Sequence, residues 1–265
     1  MRYESDIDRA DRGHEESRAQ VFAKEASLGD AAADVAAEAI AKAVENRGRC
    51  TVMMAAAPSQ APLLAALSRR VGLPWQQVEI YHMDEYLGLP PGAPQLFSEW
   101  LRAHLVGVDY RAFHAIDGSA SDAEAEAERY ASALEAAGTF DLTFLGVGVN
   151  GHLAFNEPGQ ASLDDPEAVR VVDLETLSRQ QQVDEGLFAS LDVVPRQAIT
   201  VTVPALLRTR QCLLSALGES KAPAVARMMR GPISMDCPAS AVRLVPDARF
   251  FFTADAATGL LETAT

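Results

Sequence analysis

The sequence predicts a single doubly wound α/β domain: one mostly parallel sheet flanked by helices, Rossmann-like but without a dinucleotide. Three observations carry this. Short, almost wholly apolar runs, which read as strands buried on both faces, alternate with stretches of helical spacing. The chain has 265 residues and 48% hydrophobic content, enough for one large core, and no break in composition divides it. The run that opens at Asp141 breaks into a glycine-rich turn carrying titratable groups, which is where open α/β sheets place their sites.

Residues 1–20 form a polar lead-in, expected as an arm ahead of a domain spanning 21–265. Residues 31–44 are alanine-rich with helical spacing and are ended by Asn46-Arg47-Gly48. Residues 51–57 read as a buried parallel strand. The chain then turns through Pro58-Ser59-Gln60-Ala61-Pro62 into a helix ending near Arg70, with Ser59 as its expected N-cap. A strand, a tight loop and a helix N-terminus make an anion cradle of backbone N–H groups; a capped helix with no ligand is the alternative.

Residues 78–83 form the next strand, which runs into His82-Met83-Asp84-Glu85-Tyr86. Alternation puts His82 and Asp84 on one face and Met83 and Glu85 on the other. A helix follows over 95–105, and Ser121 with Glu124 reads as a capping box for a helix to Ala137. His104 and His114 sit in ordinary helix and loop contexts and read as structural. Beyond an irregular stretch over 160–167, a strand is expected over 169–174, then a polar helical run, Arg179-Gln180-Gln181-Gln182, either solvated or facing a ligand. Residues 198–203 and 212–217 are further strands, and 249–253 is the last. Gly218-Glu219-Ser220-Lys221 starts a helix to Met229. A lysine in a first turn opposes the helix dipole, which makes sense if an anion sits there; a surface lysine is the alternative.

The formal net charge of −14 argues against nucleic acid or an anionic membrane as partner. It also requires any phosphate site to be built from local donors. The three cysteines, Cys50, Cys212 and Cys237, make no disulfide framework and suit a reducing cytosol. The N-terminus is too charged for a signal peptide, and no apolar run reaches membrane-spanning length. A soluble, cytoplasmic protein is expected.

The chemistry concentrates in residues 141–159, DLTFLGVGVNGHLAFNEPG. Gly146, Gly148 and Gly151 satisfy G-x-G-x-x-G, but that fingerprint needs a helix running on from its third glycine. Pro158 and Gly159 arrive too soon for one, and no acidic residue ends a following strand at the usual separation. The other reading is that glycines such as Gly148 let the backbone approach a small ligand, while His152 and Glu157 do acid–base work. His82, Asp84, His152 and Glu157 show no recognised metal-ligand spacing, and no metal is expected.

Three motifs carry a family resemblance: Met83-Asp84-Glu85-Tyr86-x-Gly88-Leu89-Pro90, the run from Gly146 through Asn150-Gly151-His152 to Phe155-Asn156-Glu157-Pro158-Gly159, and Gly218-x-x-Lys221-Ala222. Their order and spacing resemble glucosamine-6-phosphate deaminase from about residue 21 to 252. The sister family, 6-phosphogluconolactonase, has a similar Gly-His turn without the Phe-Asn-Glu-Pro continuation. The resemblance implies conversion of glucosamine 6-phosphate and water to fructose 6-phosphate and ammonia, with no cofactor and a hexosamine phosphate as the binding partner.

By the same resemblance, Asp84 moves the C2 proton to C1, His152 opens the ring, and Glu157 orients that histidine. Asn150 stands where members carry Asp or Asn, and an amide there holds imidazole without stabilising its charge. Lys221 matches a phosphate ligand. The phosphate loop departs from the family's glycine- and threonine-rich pattern, with Ser59 and Gln60 in it, and Arg179 is taken in place of an arginine without a clean match. No residues of an allosteric site are placed, so no activation by an acetylated amino sugar phosphate is expected. The alternatives are a 6-phosphogluconolactonase, a galactosamine 6-phosphate deaminase, and a silent sugar-phosphate sensor; a sensor could dispense with Asp84 or His152, yet both are present. The oligomeric state, a homo-oligomer included, is left open.

Overall fold

The computed structural model describes residues 18–261. In chain order its strands are β1 (Ala19–Phe22), β2 (Cys50–Met54), β3 (Val78–His82), β4 (Asp84–Tyr86), β5 (Ala112–His114), β6 (Phe140–Leu145), β7 (Val169–Asp173), β8 (Gln197–Val201), β9 (Thr209–Ala216) and β10 (Asp247–Thr253). The longer helices are α1 (Glu25–Arg47), α2 (Ala61–Ser68), α3 (Phe97–His104), α4 (Ala123–Ala137), α5 (Thr176–Asp184) and α6 (Ala222–Arg230).

Seven strands form a parallel sheet in the order β1-β10-β9-β6-β2-β3-β5. Alternate residues of its strands feed two cores. Val52, Met54 and Phe251 pack with Leu28 and Ile40 of α1, Leu63 and Leu67 of α2, and Leu101 of α3. Met53, Phe250 and Phe252 face the other way, onto Tyr130 and Leu134 of α4 and Val225 and Met228 of α6. This is why the strands read as continuous apolar runs: both faces are covered. Helices α1 and α2 approach so closely that a Cβ on Gly29 would lie 2.5 Å from the Pro62 carbonyl. No helix of the described residues is long and apolar enough to cross a membrane.

The doubly wound class therefore stands, with a second sheet that the sequence reading missed. Strands β4, β8 and β7 pair antiparallel, in that order. The expected strand over 78–83 bends at Met83, so Asp84 opens a strand of the small sheet and the face alternation with His82 does not apply. The runs near 169–174 and 198–203 also belong to the small sheet, since a short apolar run does not announce which sheet will bury it. The arm expected over residues 1–20 lies outside the described residues as far as residue 17, and Ala19 and Gln20 already pair with Phe250 and Phe251. The cap of α4 is Asp122, whose side chain accepts the Ala125 N–H at 3.0 Å, rather than Ser121 one residue earlier.

From β2 the chain steps outward to β3 and β5, then returns to the other side of β2 with β6. The loops leaving the C-terminal ends of β2 and β6 thus diverge, and a crevice opens between them at the topological switch point.

Candidate active site

That crevice is a pocket. Its walls come from the loop after β2 (Ala55 to Ser59), Asp84, the β6 turn (Gly146, Gly148, His152, Ala154), one face of α5, and Ser220 and Lys221 of the 3-10 turn Glu219–Lys221. That turn precedes α6 and so leaves Lys221 at its N-cap rather than in its first turn. Every segment of the large sheet that reaches it leaves the carboxyl end of a strand.

The β6 turn is built around the imidazole of His152. A Cβ on Gly148 would lie 2.2 to 2.4 Å from three atoms of that ring, so the histidine rests on bare backbone. Gly151, at φ 89°, reverses the chain and donates to the Gly148 carbonyl at 2.9 Å. Asn150 accepts the His152 backbone N–H at 3.1 Å and donates its amide to Glu157 Oε2 at 2.6 Å. No helix follows the third glycine, and the next begins at Thr176, so the dinucleotide fingerprint has no helix N-terminus to hold a pyrophosphate.

Glu157 is buried and gathers partners. Ser178 Oγ donates to its Oε1, and the same Oγ lies 3.2 Å from His152 Nδ1. Because the serine proton goes to the carboxylate, its oxygen accepts from Nδ1–H, and in the neutral ring Nε2 is then the acceptor. His152 Nδ1 is itself 3.5 Å from Glu157 Oε1. Burial pushes the Glu157 carboxyl up, but the hydrogen bond and charge of His152, with Ser178 and Asn150, outweigh this and hold it below its ordinary value.

Ala154, in the pocket wall, has φ 50°, a strained conformation for a residue with a side chain. The surroundings enforce it: Asn156 Nδ2 donates to the carbonyls of Leu153 and Val201, both at 2.8 Å, and the Phe155 N–H reaches Thr200 Oγ1 at 3.1 Å.

Asp84 faces the same pocket and pairs with Thr200 across the small sheet. Burial, and then the charge of neighbouring Glu85, raise its carboxyl well above the usual aspartate value. Glu85 points elsewhere. Its oxygens accept the N–H groups of Tyr86, Phe97 and Ser98 at 3.1, 2.9 and 2.9 Å, closing the start of α3. His82 is not part of the site either: its Nε2 accepts the Ile116 N–H at 2.9 Å, and burial lowers its pKa to about 3. His104 bonds to the Trp100 carbonyl one turn earlier, and His114, expected in a loop, ends β5 and bonds to Glu79 of neighbouring β3; neither lines the pocket. Among the described residues no three His, Cys, Asp or Glu side chains converge as a metal-ligating group.

The binding residues expected from the sequence divide. Ser59, Gly148 and Lys221 line the pocket. Ser59 caps no helix; it lies inside a 3-10 turn, Pro58–Gln60, that precedes α2. Gln60 is fully buried behind the wall, and its amide donates to the Leu145 carbonyl at 2.9 Å, fastening the β2 loop to the end of β6. Arg179 is turned away: its guanidinium donates to the carbonyls of Leu191, Val194 and Pro195. The reason is helical phase. Ser178, Gln181, Gln182 and Glu185 stand at i, i+3, i+4 and i+7, the face that meets the pocket and Glu157, and Arg179 lies a hundred degrees from it. Of the polar run expected as either solvated or ligand-facing, Gln181 and Gln182 face the pocket; the same spacing was the signal for Ser178 and Glu185, which the sequence reading does not name.

A family model described as glucosamine-6-phosphate isomerases/6-phosphogluconolactonase matches residues 23–249. The chain is 37% identical to glucosamine-6-phosphate deaminase 1 of Giardia intestinalis, over 83% of this chain and 84% of that one. Among solved structures it resembles a monomeric glucosamine-6-phosphate deaminase, with a TM-score of 0.83 and 29% identity over 91% of this chain and 99% of the other. A 6-phosphogluconolactonase from Shewanella baltica shares the fold, with a TM-score of 0.74 and 22% identity over 89% of this chain and 97% of that one.

Proposed function

This chain belongs to the glucosamine-6-phosphate isomerase/6-phosphogluconolactonase family, and on that premise we propose that it is a glucosamine-6-phosphate deaminase, producing fructose 6-phosphate and ammonia. The observation that carries the reading is one pocket with two different proton-transfer groups: a buried carboxylate, Asp84, and an imidazole backed by a carboxylate, His152 with Glu157. A lactone hydrolase has no carbon-bound proton to move, whereas an aldose–ketose conversion needs a positioned carboxylate for that step.

The residues divide the work as follows. His152 Nε2 serves the ring oxygen and the C1 hydroxyl, opening the pyranose to an aldehyde with the amine at C2. Asp84 removes the C2 proton; the electron pair forms the C1–C2 double bond of an enolamine while the C1 carbonyl π pair moves to O1, which takes a proton from water, and the carboxylic acid then returns the proton to C1. The C2 iminium that results adds water and releases ammonia. Burial suits Asp84 to this step, because a raised pKa makes a stronger base once ionised. Glu157 and Ser178 fix the imidazole tautomer, with Asn150 holding Glu157. Lys221 and Ser59, on adjoining walls, receive the phosphate against the negative field of the molecule. The three free, buried cysteines support a reducing compartment such as the cytoplasm.

The test is ammonia release across a panel containing glucosamine 6-phosphate, galactosamine 6-phosphate and unphosphorylated glucosamine, with hydrolysis of 6-phosphogluconolactone followed in parallel. Stoichiometric ammonia and fructose 6-phosphate from the glucosamine ester is expected. Lactone hydrolysis without ammonia release would replace this function with that of the sister enzyme.

A further inference from the structure

The cation assigned to the phosphate is not free. Lys221 Nζ lies 3.2 Å from Glu185 Oε1, both side chains line the pocket, and both are largely shielded, with 12% and 22% of their surface exposed. Gln181 Nε2 donates to the same oxygen at 2.8 Å, while Gln181 Oε1 accepts the Val149 N–H of the catalytic turn at 3.2 Å. A carboxylate oxygen therefore receives two donors inside the cavity, one of them the lysine that an anionic ligand would seek.

We propose that Glu185 sets the phosphate affinity of the site as an internal anion that occupies Lys221 until the phosphate of the substrate displaces it. The inference rests on the deaminase reading for the identity of the phosphate ester. A phosphate group on Lys221 comes within a few ångströms of the Glu185 carboxylate, and two like charges at such range oppose each other in a shielded site. Phosphate binding thus exchanges one anion for another at Lys221. Glu185, left with Gln181, sets the phosphate affinity below what the lysine alone would give. Gln181 ties the displaced carboxylate to the turn that carries His152, so the exchange takes place on the hydrogen-bonded frame of the catalytic turn.

Glu185→Gln removes the charge and keeps the size. Calorimetric titration with inorganic phosphate, and KM and kcat for glucosamine 6-phosphate, report the effect. The expected result is a tenfold tighter phosphate Kd and a KM lowered by a similar factor, about 1.4 kcal/mol, with kcat changed much less than KM. Glu185→Asp retains the anion and should keep the phosphate Kd within about threefold of the unmodified enzyme. A phosphate Kd that is unchanged or weaker in Glu185→Gln would overturn the proposal; weakening would mean that Glu185 positions Lys221 for the ligand. Phosphate titration needs no turnover, so an enzyme that releases no ammonia from any hexosamine phosphate would overturn the deaminase reading while leaving this test in force.

Discussion

His152 can occupy its place only because position 148 has no side chain. Gly148→Ala would put a methyl carbon 2.2 Å from the ring, so the imidazole must leave its bond with Ser178. Turnover of the cyclic substrate should fall at least about 10²-fold, the usual worth of a positioned acid–base group, and steady-state kinetics on the folded variant checks it. Asp84 provides a second residue-level outcome. In the proposed mechanism its ionised form is the base, and burial with Glu85 raises its pKa, so kcat/KM should climb with pH along a limb above the ordinary carboxylate range. A limb at the ordinary aspartate value would count against Asp84. The linkage has the opposite sense for folding: the native state holds this proton more tightly than the unfolded chain. The stability it contributes is complete below the ordinary value and is lost as pH rises through the raised one. At this scale the sequence was informative about identity and less so about reasons. The resemblance points to Asp84, and strand alternation is expected to set it apart from Glu85, yet the strand ends at His82; what separates the two is that Glu85 is consumed by three backbone N–H groups.

At the scale of elements, the helices and the five inner strands of the large sheet were legible because their burial is periodic or continuous, whereas the short, half-exposed edge strands β1 and β5 carry no such pattern and were not. The small sheet was not, because β7 and β8 look like any short apolar run, and only tertiary pairing distinguishes them. Helix α5 was legible in principle. Ser178, which meets Glu157, and the pocket-lining Gln181, Gln182 and Glu185 follow helical spacing, whereas Arg179 lies on another side of the helix. The packing of α1 on α2 yields a direct prediction. Gly29→Ala forces a methyl group against the Pro62 backbone, with no flexible side chain to yield. Thermal or urea unfolding should show a loss of roughly 1–3 kcal/mol, as for other overpacked contacts. An unchanged midpoint would mean that the two helices separate freely.

Across the whole molecule, the site exists because two sheets meet. The parallel sheet presents the His152 turn and the β2 loop at its switch point, and the small antiparallel sheet brings Asp84 to the facing wall. Ring opening and carbon-proton transfer are thus assigned to residues held by different sheets. The most direct measurement is exchange of the C1 protons of fructose 6-phosphate in deuterated water containing ammonium, followed by NMR for the unmodified enzyme and for Asp84→Asn. The Asn variant keeps the shape of the side chain and should still bind an open-chain analogue with nearly unchanged affinity. Its exchange should be slower by at least about 10²-fold. Exchange in Asp84→Asn at close to the unmodified rate, with analogue binding intact, would contradict the assignment of the carbon-proton step to Asp84.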